Sequence, residues 1–247
     1  NHNLLTPIAT ISTYDDDGDI VNLSLDNTAD FSYTRIEATD SFDLFANALD
    51  HETKNPMVVD ITATDGNTSR TEELSLSVTD VNEAPVISTL TASDYAENQD
   101  YSTNPIFDAD ASDEDSDSIT YSLGSSKDES HLTIDSTSGE VSLKADADYE
   151  DKSSYTFDVT ATDDGTGTLS DTQEITVNIT NVNEAPEITT LTASDYNENQ
   201  DYSANPIFDA DASDEDGDSI TYSLGSSKDE SYLTINSANG EVSLKAD

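Results

Sequence analysis

Cysteine and tryptophan are absent from this 247-residue chain, methionine occurs once, and only 8 lysine and arginine residues stand against 54 aspartate and glutamate. Without cysteine, neither disulfides nor thiolate metal sites are available. Nucleic-acid binding is excluded, because neutralising phosphates takes clustered Lys and Arg that this chain lacks. Anionic membrane surfaces are disfavoured for the same reason. No apolar run approaches the length of a membrane span, and no secretory leader is visible. The start at Asn1 and the end in mid-repeat at Asp247 read as an internal segment of a longer chain. A hydrophobic content of 33% with a formal charge of −46 would also suit a disordered chain. Against that, the apolar residues alternate cleanly. A folded chain this acidic repels itself unless cations bind.

What the chain does contain is a repeat. Val81-Asn82-Glu83-Ala84-Pro85 recurs as Val182-Asn183-Glu184-Ala185-Pro186, an offset of 182 − 81 = 101 residues. The blocks that follow, 85–146 and 186–247, span 62 positions and differ at nine of them. A period near 100 is too long for a solenoid and matches one small domain copied along the chain. Cutting at the pentapeptides gives three units: 1–84 with an incomplete first strand, a complete 85–185, and a partial 186–247 lacking its last two strands.

Within the middle unit the apolar residues keep period two, the mark of half-buried strands. Ile119, Tyr121 and Leu123 alternate with polar residues, as do Leu132 with Ile134 and Val141 with Leu143. Tyr155, Phe157, Val159 and Ala161 share one face, and Ile175, Val177 and Ile179 share another. With Val86–Leu90 and Ile106–Ala109, about seven strands fall in roughly 100 residues, the size of an immunoglobulin-like Greek-key sandwich. The fold class expected is therefore all-β, a tandem of such sandwiches.

Short acidic motifs lie outside the strand cores: Ala96-Glu97-Asn98, Asp113-Glu114-Asp115, Asp148-Tyr149-Glu150, Ala161-Thr162-Asp163, and the linker Asp80–Pro85. Calcium takes six to eight oxygens from carboxylates, amides and carbonyls. No single motif supplies that many, but several gathered at one domain junction would. An EF-hand loop at Asp113-x-Asp115-x-Asp117 is rejected, because Ser118 and Gly124 stand where Gly and Glu are required. Asp100, Asp128, Glu129 and Glu230 match no motif and read as solvated surface. No nucleophile, base and orienter can be assembled, so the chain does not read as an enzyme.

The order and spacing of the five motifs resemble the cadherin repeat, in the bacterial variety that carries VNEAP where animal cadherins carry DxNDNAP. The resemblance covers essentially the whole chain. It implies three calcium ions at each junction, held by an early Glu, a DxE pair and the linker of one domain and by a DxD pair and a later Asp of the next. Carried over, the first junction would use Asp50, Glu52, Asp80, Asn82, Glu83, Asp113, Asp115 and Asp163. Its early Glu would precede Asn1. The second would use Glu97, Asp148, Glu150, Asn181, Asn183, Glu184, Asp214 and Asp216, its late Asp falling beyond Asp247. Asp15, Asp17 and Asp65 match the lower half of a further junction upstream.

Three departures stand out. Glu83 and Glu184 replace the family's central linker Asp, Asn181 stands where the first linker has Asp80, and the loop after Asp115 is short. The ion nearest that loop is expected to bind most weakly, with Asp117 or Asp218 as substitutes.

The resemblance implies a calcium-rigidified spacer or adhesion module of a large bacterial surface or secreted protein, placed outside the cell, with self-association as one mode of adhesion. The alternative is a carbohydrate-binding module using Tyr95, Tyr101, Tyr196 and Tyr202, although these tyrosines also suit packing at the domain end.

Overall fold

The structure is a computed structural model that describes residues 6–89, 91–189, 194–198, 200, 202, 205–226 and 228–245. Leu90, expected at the end of a strand, and His2 lie outside the described residues. The described residues form two compact units. One comprises 1–86 with 111–120 and 161–171, and the other 87–110 with 121–160 and 172–247.

Residues 9–76 carry two antiparallel three-stranded sheets. β1 (Ala9–Ser12), β4 (Ser41–Ala46) and β3 (Phe31–Ile36) make one in the order β1-β4-β3. β2 (Asn22–Leu25), β5 (Met57–Thr64) and β6 (Ser69–Leu76) make the other in the order β2-β5-β6. Alternation sends Phe31, Leu44, Met57 and Val59 inward, where Ile8, Ile11, Leu25, Ile61 and Leu74 pack against them.

Between residues 86 and 180 lie β7 (Val86–Ile87), β8 (Tyr95–Ala96), β9 (Phe107–Asp108), β10 (Ala111–Ser112), β11 (Thr120–Leu123), β12 (Leu132–Ile134), β13 (Glu140–Leu143), β14 (Ser154–Thr162) and β15 (Ser170–Thr180). One sheet runs β11-β14-β15-β8, a second β12-β13-β9, and β7 pairs with β10. Every second residue of β14 is buried, Tyr155, Phe157, Val159 and Ala161 among them. Phe157 meets Phe107 edge to face with ring centroids 6.1 Å apart. The outward face carries hydroxyl pairs across the strands, Thr156–Thr176 at 3.0 Å and Thr160–Thr172 at 2.8 Å, a cross-strand pairing that favours this register. β8 is parallel to β15, with Ile179 opposite Tyr95 and Thr180 opposite Ala96. That pairing carries Glu97 to the start of the second linker.

The remaining strands are β16 (Glu187–Ile188), β17 (Phe208–Asp209), β18 (Ala212–Ser213), β19 (Leu233–Ile235) and β20 (Glu241–Leu244), arranged as β16-β18 and β17-β20-β19. The stretch Ile119–Ser130 is repeated without change as Ile220–Ser231. Its first copy contains β11, whereas the second is not extended into a strand at 221–224. β11 hydrogen-bonds β14. An identical sequence thus takes a different structure in its two copies.

One expectation is overturned here. Glu129, read as solvated, is only 6% exposed. Its carboxylate accepts the Lys127 amide at 2.6 Å and the Asp158 amide at 3.2 Å. Burial disfavours its charge, but backbone amides and the Lys127 ammonium outweigh this and hold its carboxyl below the ordinary value. Asp128 is likewise engaged, accepting the Thr156 amide at 2.8 Å and pairing with Lys152 at 2.9 Å. These acids stitch the loop after β11 onto β14.

Candidate metal centres at the linkers

The first linker is held by its own polar groups. The Glu83 amide donates to Asp115 Oδ2 at 2.8 Å, and Asn82 Nδ2 donates to Asp163 Oδ2 at 3.1 Å. Asp163 is 3% exposed and is itself fixed by the amides of Gly165 and Leu169. Around this frame three groups of side chains bring their donor atoms within 4.8 Å of one another: Glu52 with Glu83 and Asp115, Asp113 with Asp115 and Asp117, and His51 with Glu52 and Asp80. The 113–117 turn is shaped by Asp113, whose Oδ1 accepts the Asp117 amide at 3.1 Å while Ser116 takes a left-handed φ of 65°.

The second linker repeats the scheme. The Glu184 amide donates to Asp216 Oδ2 at 2.8 Å, and the Asp218 amide to Asp214 Oδ1 at 3.0 Å. Asp214, Asp216 and Asp218 form one group and Glu97, Asp148 and Glu150 another. Glu97 is 2% exposed, accepting the Tyr149 amide on Oε2 and the Val182 amide on Oε1, both at 2.6 Å. Each oxygen keeps a second lone pair for a cation. Asn181 donates to Glu150 at 2.9 Å, Asn183 to the Glu184 carbonyl at 2.9 Å, and Asn98 to Glu184 Oε1.

These carboxylates repel. Burial first, and then Asp115 and Glu52, push Glu83 above the usual range. Burial and Asp115 do the same to Asp80, and burial and Asp113 to Asp117. At the second linker Glu150 and Glu184 are raised by burial and by Glu97. Asp216 is lowered, first by the Glu184 amide and then by Asn181.

Asp50 stands apart. Each of its oxygens accepts one hydrogen bond from Thr53 at 2.8 Å, an arrangement that lowers its pKa, and it joins none of the groups. Asp15 accepts the amides of Asp17 and Asp19 at 3.0 Å, and Asp65 those of Asn67 and Thr68 at 2.7 and 2.6 Å. No metal-type group of three forms at Asp15, Asp17 and Asp65 among the described residues.

Whether a hard cation suits these residues is tested by their orphaned atoms. Among the described residues, the buried side-chain polar atoms without a hydrogen-bond partner are Arg35 Nε and four carboxylate oxygens: Glu83 Oε2, Asp113 Oδ2, Asp115 Oδ1 and Glu184 Oε2. An unpartnered buried carboxylate oxygen is costly. Four of them at two linkers, all on residues that the acidic motifs single out, fit a set of oxygen donors for calcium. Gly165 belongs to the same frame, since a Cβ there would lie 1.7 Å from Asn82 Oδ1 and 2.0 Å from Asp117 Oδ2. Gly165→Ala is therefore expected to displace Asn82 and Asp117, costing about 1–3 kcal/mol and weakening calcium binding, as read by calorimetric titration. Unchanged affinity would separate Asn82 and Asp117 from the site.

The motif reading left Asp117 and Asp218 as substitutes, and they now stand inside groups of three. It passed over His51 and Asn98. For His51 the signal was its position between Asp50 and Glu52. For Asn98 it was its place beside Glu97. The tyrosines pair with each other: Tyr95 with Tyr101 at 5.3 Å and Tyr196 with Tyr202 at 5.0 Å between ring centroids. The Tyr101 hydroxyl donates to the Ala96 carbonyl at 2.7 Å. That is packing at a domain end, and it leaves the carbohydrate reading without a supporting observation.

Comparison with known proteins agrees with this architecture. Residues 90–180 match the family model of the cadherin domain. Protein dachsous of Drosophila melanogaster is 32% identical over 163 residues, covering 63% of this chain and 5% of the relative. Protocadherin Fat 1 of Homo sapiens is 33% identical over 135 residues, covering 51% of this chain and 3% of that protein. The chain thus spans a small fraction of the relatives it matches. Among solved structures, human CDH23 EC21-23 superposes with a TM-score of 0.65 at 20% identity, covering 94% of this chain and 80% of that one. The chain is all-β and shares the fold of tandem cadherin ectodomains. No helix among the described residues is long and apolar enough to cross a membrane.

Proposed function

We propose that this chain is a run of calcium-binding cadherin repeats, bounded near 84/85 and 185/186, that serves as a calcium-stiffened spacer in an extracellular or cell-surface adhesion protein. The observation that carries this reading is the set of partnerless carboxylate oxygens on Glu83, Asp113, Asp115 and Glu184. Calcium, when bound, supplies the positive charge that satisfies them. Glu52, Asp80, Asn82, Glu83, Asp113, Asp115, Asp117 and Asp163 would hold it at the first linker. Glu97, Asp148, Glu150, Asn181, Asn183, Glu184, Asp214, Asp216 and Asp218 would hold it at the second. Asp50 contributes through its DxE position, while Asp15, Asp17 and Asp65 match the lower half of a further such site. The VNEAP linkers support a large bacterial adhesin as the parent protein, although the relatives described above are animal proteins. Adhesion, with self-association as one form, belongs to that parent.

The role of this segment is length and stiffness. With calcium bound, the carboxylates around each linker are drawn together; without it they repel and the linker acts as a hinge. Small-angle scattering in millimolar calcium should therefore give a longer, narrower distance distribution than in chelator, and Asp113→Ala should abolish part of the difference. Superimposable profiles in the two conditions would sink the spacer reading.

The sign of the effect can be tested at one residue. A carboxyl raised in the folded state binds its proton more tightly there than when unfolded. Its ionisation therefore costs stability as pH rises above the usual carboxylate range. In chelator at neutral pH, Glu83→Gln should raise the melting temperature, and the gain should fade as pH falls into that range. In calcium the same change should lower it, because a charged donor is lost. A variant that shifts in the same direction in both conditions would show that Glu83 is not a ligand.

A further inference from the structure

We propose that His51, Glu52 and Asp80 form a site for a borderline transition-metal dication, of which Zn2+ is the type, in competition with calcium for the two carboxylates. His51 Nδ1 lies 2.6 Å from Glu52 Oε1 and 3.7 Å from Asp80 Oδ1. The three donor atoms are all within 4.8 Å of one another. A tetrahedral ion with bonds of about 2.0–2.2 Å holds its donors roughly 3.3–3.6 Å apart; His51–Asp80 is close to that spacing, and the His51–Glu52 hydrogen bond must open by roughly 1 Å to admit the ion. The imidazole side chain is 33% exposed, which gives an ion access from solvent. A cavity of about 260 Å³ adjoins it, lined by His51, Glu52, Val81 and Glu83 among others. Glu83, whose Oε2 has no hydrogen-bond partner, also lines this cavity.

The chemistry of the donors selects the metal. Calcium takes oxygen ligands, so an imidazole adds nothing to its site. Imidazole with carboxylates suits zinc, nickel and copper. The second linker supplies an internal contrast, because Tyr149 stands there in place of His51. Only the first linker combines an imidazole with the DxE carboxylate, so the two junctions of one chain would answer differently to the same mixture of ions. The three groups lie within residues 51–80 and need no calcium to be brought together, so the inference goes beyond the calcium reading.

The test is calorimetric titration of the whole, calcium-free chain with ZnCl2, with Co2+ absorption as a second readout of coordination. His51→Tyr, which installs the residue of the sister repeat, should remove one zinc equivalent. The affinity lost should be at least the roughly 10–100-fold that even an outer-sphere ligand partner is worth. His131→Tyr, the sister-repeat residue at the other described histidine, should leave it in place. Millimolar calcium should raise the zinc midpoint in the unaltered chain. Equal zinc affinity in the His51→Tyr variant, or a Co2+ spectrum unchanged by it, would overturn the proposal. A chain that keeps the zinc site but shows no calcium response would instead overturn the spacer reading.

Discussion

Moving the chain from 5 mM calcium to excess chelator should lower its melting temperature by roughly 10–30 °C. Extracellular calcium modules bind with dissociation constants on the order of 0.1–1 mM, so each filled site adds about 1–2 kcal/mol at that concentration. Two ions at one linker give about 2–5 kcal/mol, and a domain near 100 residues shifts by about 4–8 °C per kcal/mol. The effect is large because the ion-free state is poor. Asp80 and Asp115 sit against each other, and three carboxylate oxygens at the first linker have no partner. Asp113→Ala should shrink the calcium-dependent shift at the first linker and Glu150→Ala at the second. Differential scanning calorimetry at both calcium levels reads the result. Identical melts would reduce the acidic motifs to solvated turns.

Glu97→Ala should be the most damaging single substitution, and in a different way. Its carboxylate accepts two backbone amides, from Tyr149 and Val182, while almost fully buried. Removing it strands both donors, at roughly 1–3 kcal/mol each. A loss of about 3 kcal/mol, or roughly 10–20 °C, is therefore expected even in chelator, where no ion is present to lose. In calcium the loss should be greater, since a ligand goes too. Asp214→Ala gives the contrast, because it should matter chiefly in calcium. If Glu97→Ala were silent in chelator, the two amide bonds would not hold the linker in solution.

Much of the architecture was legible in the sequence, for a physical reason. Strands with one buried face must alternate, and Tyr155, Phe157, Val159 and Ala161 announce β14 without ambiguity. What the pattern could not show was a difference between identical copies: Thr120–Leu123 forms a strand and the same residues at 221–224 do not. The acidic motifs were legible as a set, since five recur in order. Their internal division of labour was not. Spacing gives the carboxylates but not how they group, so it could not show that Glu52 stands in two groups of three while Asp50 bonds Thr53. Glu129 was misread because a lone acid in a turn has no periodicity to reveal that amides surround it. Its one advance sign was Gly124, where a side chain would collide with the Glu129 carboxylate at 2.7 Å.

The pairing of β11 with β14 has a consequence for synthesis. In the middle repeat β11 lies against β14, which follows it by about 30 residues of chain. A ribosome or an export channel releases the polypeptide from one end, so the newest module always presents an open flank until its closing hairpin emerges. Maturation of such an array is therefore vectorial, each module sealing in turn behind the growing point. At any moment the vulnerable region is confined to the most recent module, however many precede it.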